Sequence, residues 1–205
     1  MEYNHFHDGF DCNCEHNEDD HELSKYEQVF KMYDVNIDDK SIKRQTTTLL
    51  AERVKENDNP EVKKFLFNSI ELTTLKTTDN YESVLSLIEK VNDFDTQYPE
   101  LGHVATVCVF PNFAGLCHDT LENEEIEITC VSGCFPSSQT FLEVKVAETA
   151  LAIQDGATEI DIVMPVGKFL SGDYEDIYDE ISEIKSVCGD KKLKVILETG
   201  CLKTA

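Results

Sequence analysis

Five short apolar runs follow one another along this chain, each separated from the next by a stretch with helical spacing. They are Ser69 to Leu75, His103 to Phe110, Ile126 to Val131, Thr158 to Pro165 and Leu193 to Gly200. Each strand-plus-helix unit takes about 30 residues, the length of a βαβ crossover unit in a parallel sheet. The fourth run shows the type well. Ile160, Ile162 and Val163 are β-branched, Pro165 stops the run, and its near-continuous apolar character suits a strand covered on both faces. No G-x-G-x-x-G or G-x-x-x-x-G-K-[ST] stretch follows any run, which removes the usual dinucleotide and nucleotide signals. Two architectures remain open, a small open sheet or a (β/α)8 barrel of which five units are present.

Charge inside two of these strands is the chemically informative feature. Alternation places Asp161 and Val163 on one face of the fourth strand, and Lys194, Ile196 and Glu198 on one face of the fifth. If those faces are the same, Asp161 and Lys194 come within pairing distance. A paired lysine and aspartate in a barrel interior make a proton relay, because each stabilises the charged form of the other. The plainer reading is a structural ion pair, or two solvated strand ends. Cys108, late in the second strand, reads from spacing alone as a packed thiol, with no histidine near it in sequence to activate it. Lys168, in the loop after the fourth strand, reads as solvated.

Composition narrows the partners. With 41 acidic and 18 basic residues the formal net charge is −23, which argues against nucleic acid and anionic membrane as binding surfaces. No apolar run approaches a membrane span, and no basic-then-apolar leader opens the chain, so a cytoplasmic location is expected. The eight cysteines form no C-x-x-C pair and read as free thiols in a reducing compartment. Residues 1–22 hold eight acidic residues, four histidines and Cys12-Asn13-Cys14, a composition of a disordered acidic tail whose spacing matches no structural zinc site. Residues 23–68 are expected to form helices packed on the barrel. Ser24 caps the first, Asp38 or Asp39 the second, and Pro60 occupies the first turn of the third. Residues 69–205 are the expected barrel portion.

Several segments together resemble deoxyribose-phosphate aldolase. They are Leu72-Thr73-Thr74-Leu75, Ala105-Thr106-Val107-Cys108-Val109-Phe110-Pro111, and Ala147-Glu148-Thr149-Ala150 with Asp155-Gly156-Ala157-Thr158-Glu159-Ile160-Asp161-Ile162-Val163. Gly167-Lys168-Phe169-Leu170-Ser171-Gly172-Asp173-Tyr174 and Lys192-Leu193-Lys194-Val195-Ile196-Leu197-Glu198-Thr199-Gly200 complete the set. The resemblance implies an α/β chain of the (β/α)8 TIM-barrel class, here about the first five units behind extra N-terminal helices. It implies reversible cleavage of 2-deoxy-D-ribose 5-phosphate to D-glyceraldehyde 3-phosphate and acetaldehyde through a Schiff base, with no metal and no organic cofactor. Carried over, the proton-shuttling aspartate falls on Asp161 and a lysine near it on Lys194, while Thr73 and Cys108 match pocket-lining positions. The implied partner is a small phosphosugar, and a homo-oligomer is compatible with it.

The sequence departs from that family in one large respect. The Schiff-base lysine belongs to an F-[IV]-K-T-S-T-G segment that does not occur between Met1 and Ala205. Leu202-Lys203-Thr204 mimics part of it but directly follows the fifth strand, so Lys203 is rejected as the nucleophile. The expectation is a truncated, inactive form of the aldolase. The competing expectations are a non-catalytic α/β binding or assembly protein derived from the barrel, and another phosphosugar-barrel enzyme.

Overall fold

The computed structural model describes residues 24–33 and 37–202, so the acidic 1–22 segment and Lys203 lie outside the described residues. The chain divides into two compact units, Met1–Asn36 and Ile37–Ala205. In the first, α1 (Lys25–Phe30) is closed by the Ser24 cap that the sequence predicts. The Ser24 hydroxyl accepts from the Glu27 N–H at 3.2 Å, and the Glu27 carboxylate accepts from the Ser24 N–H at 2.8 Å.

The second unit begins with α2 (Asp39–Asn57), whose first N–H groups donate to the Asp38 carboxylate. Next comes α3 (Pro60–Phe67), capped by the Asn59 side chain, with Pro60 where its missing N–H costs no bond. Neither helix buries a residue fully, and the Ile42, Leu49, Leu50 and Val54 side of α2 is exposed. The end of α3 is tied down more firmly. The Asn68 amide donates to the carbonyls of Leu101 at 3.1 Å and His103 at 2.7 Å, and the Phe67 and Phe94 rings lie 5.2 Å apart.

Five parallel strands follow, β1 (Glu71–Thr73), β2 (Thr106–Val109), β3 (Glu127–Val131), β4 (Glu159–Val163) and β5 (Lys192–Ile196), paired in the order β1-β2-β3-β4-β5. Between them run α4 (Tyr81–Gln97), α5 (Ala114–Thr120), α6 (Leu142–Gln154), α7 (Val166–Ser171) and α8 (Tyr174–Cys188), and α9 (Thr199–Leu202) comes last. Because the spatial order equals the chain order, every crossover steps the same way and the helices gather on one face. A doubly wound sheet, which reverses direction at a switch point, is excluded. The helix-covered face is apolar: Val107, Val109, Ile128, Cys130, Ile160, Ile162, Leu193 and Val195 pack with Val84, Ile88, Ala152 and Ile184 of the helices. Alternation sends the polar side chains to the opposite face, which in a barrel is the interior. Among the described residues no helix is long and apolar enough to cross a membrane.

Two local details shape the turns around the sheet. Ser137 and Ser138 look like a helix start, but α6 begins at Leu142, because Ser138 has a positive φ of 58° and both its hydroxyl and its carbonyl accept from the Lys145 ammonium. The helix after β2 opens with a 3-10 turn at Pro111–Phe113. Gly156 follows the end of α6, and nothing else fits there. Its φ is 112°, and an added Cβ would meet His118 side-chain carbons at 2.7 Å. Gly156→Ala is therefore expected to destabilise the fold by about 2–4 kcal/mol in urea unfolding, combining backbone strain with the clash. A loss under 1 kcal/mol would show that the α6–β4 turn relaxes freely.

Candidate active site

Strand register assembles the charged groups. Asp161, third residue of β4, stands opposite Val131 of β3 and Lys194 of β5. Its neighbours on the uncovered face are a short step away, since Thr73 pairs with Cys108 and Cys108 with Thr129. The Lys194 ammonium lies 2.9 Å from one Asp161 oxygen and 3.7 Å from Glu159. It also donates to Glu71 of β1, reaching across from the last strand to the first. Asp161 is 2% exposed, and its second oxygen has no hydrogen-bond partner among the described residues.

These surroundings set the proton affinities. Burial pushes the Asp161 carboxyl up to about 6 from an ordinary 3.8; the Lys194 bond opposes this, and the Glu71 charge adds to it. For Lys194 burial acts downward, but bonds to Glu71 and Asp161 outweigh it and hold the ammonium above the usual lysine range. Burial raises the Cys108 thiol well above its usual value, and the Glu71 and Asp161 charges raise it further, so it is no nucleophile. Ligand atoms of Glu71, Cys108 and Asp161 lie within 4.8 Å of one another and could close around a metal ion. The cation that contacts two of the three is the Lys194 ammonium, and Cys108 keeps its proton. One layer toward the strand starts, Lys192 pairs with Glu127 at 2.8 Å and Glu159 at 3.8 Å. That pair holds Glu127 below the usual carboxylate range. Between the layers the Thr106 and Thr129 hydroxyls bond at 2.6 Å.

All four residues singled out from the sequence, Thr73, Cys108, Asp161 and Lys194, therefore fall on the same face. Sequence reasoning missed Glu71. Glu71 shares the parity of Thr73 on β1, but a three-residue strand is too short for that parity to be read from sequence. The loop after β4 also differs from expectation. Lys168 is half-buried, 3.4 Å from Glu180 and 3.7 Å from Asp176.

The chain has relatives among known proteins. Residues 70–205 match the model of the DeoC/LacD family aldolases. The chain belongs to the DeoC/LacD aldolase family. A Clostridium botulinum deoxyribose-phosphate aldolase is 38% identical over 135 residues, 66% of this chain and 59% of the relative. A Caenorhabditis elegans protein provisionally given the same name is 39% identical over 147 residues, 70% of this chain and 48% of the relative. The chain thus spans about half to three fifths of the length of these curated relatives. Among solved structures, the tetrameric deoxyribose phosphate aldolase of Aeropyrum pernix aligns with a TM-score of 0.56 and 27% identity, covering 67% of this chain and 54% of that one. The five parallel strands of this DeoC/LacD chain are accordingly an arc of a (β/α) barrel, and the polar face lines its interior.

Proposed function

We propose that this DeoC/LacD protein serves the reversible cleavage of 2-deoxy-D-ribose 5-phosphate to D-glyceraldehyde 3-phosphate and acetaldehyde through a Schiff base. The observation that carries the reading is the Asp161–Lys194 pair at 2.9 Å on the interior face. In the cleavage direction Asp161 takes the C3 hydroxyl proton as the C2–C3 bond breaks. The bond's electron pair flows into the iminium and leaves an enamine. Asp161 then returns a proton to C2, and water releases acetaldehyde. A carboxyl poised at about 6 can hold either form near neutral pH, which is what a shuttle needs. Lys194 keeps the charged form affordable in a buried place, and Thr73 and Cys108 line the sugar pocket. The amine that forms the Schiff base is not among the described residues. The reading also makes the protein cytoplasmic, its partner a small phosphosugar, and its assembly a homo-oligomer in the manner of the Aeropyrum pernix neighbour.

The test is a coupled assay for D-glyceraldehyde 3-phosphate together with borohydride trapping and intact mass. A protein that joins residues 69–205 to a segment carrying the F-[IV]-K-T-S-T-G lysine should turn over 2-deoxy-D-ribose 5-phosphate and trap an adduct, and residues 1–205 alone should do neither. No turnover by the joined protein would end the proposal, and an adduct on residues 1–205 alone would show that a lysine within them is the nucleophile.

A further inference from the structure

Four carboxylates and two ammonium groups share the interior face: Glu71, Glu127, Glu159 and Asp161 against Lys192 and Lys194. Lys192 is drawn to Glu127 at 2.8 Å, Glu159 lies 3.7 Å from Lys194 and 3.8 Å from Lys192, and Lys194 serves both Glu71 and Asp161 by direct contact. Two carboxylates cannot both be fully neutralised by one ammonium, and the proton that relieves the excess goes to the group that solvates its charge least well. That group is Asp161, at 2% exposure with one oxygen unpartnered, whereas the Glu71 side chain is 26% exposed.

We propose that Glu71 is a positioning residue that shares the Lys194 ammonium from the far strand, preventing a one-to-one ion pair and keeping Asp161 a usable base. The groups facing Asp161 are Glu71 from β1, Cys108 from β2, Glu159 from its own strand and Lys194 from β5; its β3 neighbours, Thr129 and Val131, carry no charge. Glu159 also repels Asp161 and lies 3.7 Å from Lys194, but Glu71 accepts a direct hydrogen bond from that ammonium and is the stronger competitor for it. Removing its charge acts twice in the same direction. The repulsion vanishes, and Lys194 is freed to commit to Asp161. The consequence for catalysis rests on the reading of the preceding section, while the charge sharing does not.

The test is a carboxyl 13C NMR titration of Asp161 in the 205-residue chain. Glu71→Gln is expected to lower the Asp161 midpoint by about one pH unit or more, the usual effect of losing a close like charge. Glu71→Asp, which keeps the charge, should stay nearer the parent than Glu71→Gln does. An unchanged or raised midpoint in Glu71→Gln would overturn the proposal. In a protein that also carries the Schiff-base lysine the acid limb of the kcat/KM profile should move down with the midpoint. Cleavage without that movement sinks the positioning role alone, whereas a moved midpoint without any cleavage sinks the aldolase reading alone.

Discussion

Under the proposed aldolase reading, Asp161→Asn in a protein that also carries the Schiff-base lysine is expected to lower kcat for 2-deoxy-D-ribose 5-phosphate cleavage by about 10²- to 10⁴-fold, the usual range for a lost general acid–base group. KM should move much less, since the proton transfer belongs to the transition state. The same substitution has an opposite effect on stability. Asp161 holds its proton more tightly in the folded chain, with a value of about 6 against an ordinary 3.8. Between roughly pH 4 and 6 the folded state therefore binds more protons than the unfolded one, and stability falls as pH rises through that window. Asparagine copies the protonated acid and cannot ionise, so the variant should gain on the parent from pH 4 to pH 6 and run parallel above it. Lys194 keeps Glu71 in the variant, and its ammonium stays charged throughout the window. Urea unfolding at pH 4, 5, 6 and 7 beside the coupled assay measures both. A variant that loses activity and also loses stability increasingly toward pH 7 would mark Asp161 as a structural ion-pair member only.

Glu180→Leu is the substitution expected to damage the fold most. The Lys145 ammonium is almost wholly buried, and its three protons are all used, on Glu180 at 2.6 Å, the Ser138 carbonyl at 2.6 Å and the Ser138 hydroxyl at 2.7 Å. Removing the carboxylate leaves an uncompensated charge between α6 and α8, with a cost of about 3–5 kcal/mol. Adding Lys145→Met to Glu180→Leu takes out the stranded charge, so the double variant should lie closer to the parent than the single one does. Chemical denaturation of the three proteins tests this. A single-variant loss under 1 kcal/mol would mean that water or Lys168 neutralises the site.

What the sequence made legible follows from local rules. The Ser24, Asp38 and Pro60 helix starts depend on residues within one turn, and the structure has them. The β–α alternation depends on periodicity, and the shared face of Asp161 and Lys194 follows from strand parity together with register. The features that escaped depend on partners far away in the chain. Lys145 sits on a helix whose apolar stripe gives no reason to bury it, and its carboxylate lies 35 residues on. Ser138 looks like a helix cap until that lysine claims it. Glu71 belongs to a three-residue strand, too short to show alternation, and its meaning comes from a lysine 123 residues later.

That last separation has a consequence for biosynthesis. Chain leaving a ribosome exposes Glu71 first, then Asp161, and the lysine that reconciles them only with β5. Until then two carboxylates would share the uncovered face of a growing arc without their common cation, and protonation or solvent must keep them tolerable. The Lys194 contact to Glu71 therefore works as a closing latch. It joins β1 to β5, and it can form only when the strands between them have already taken their places.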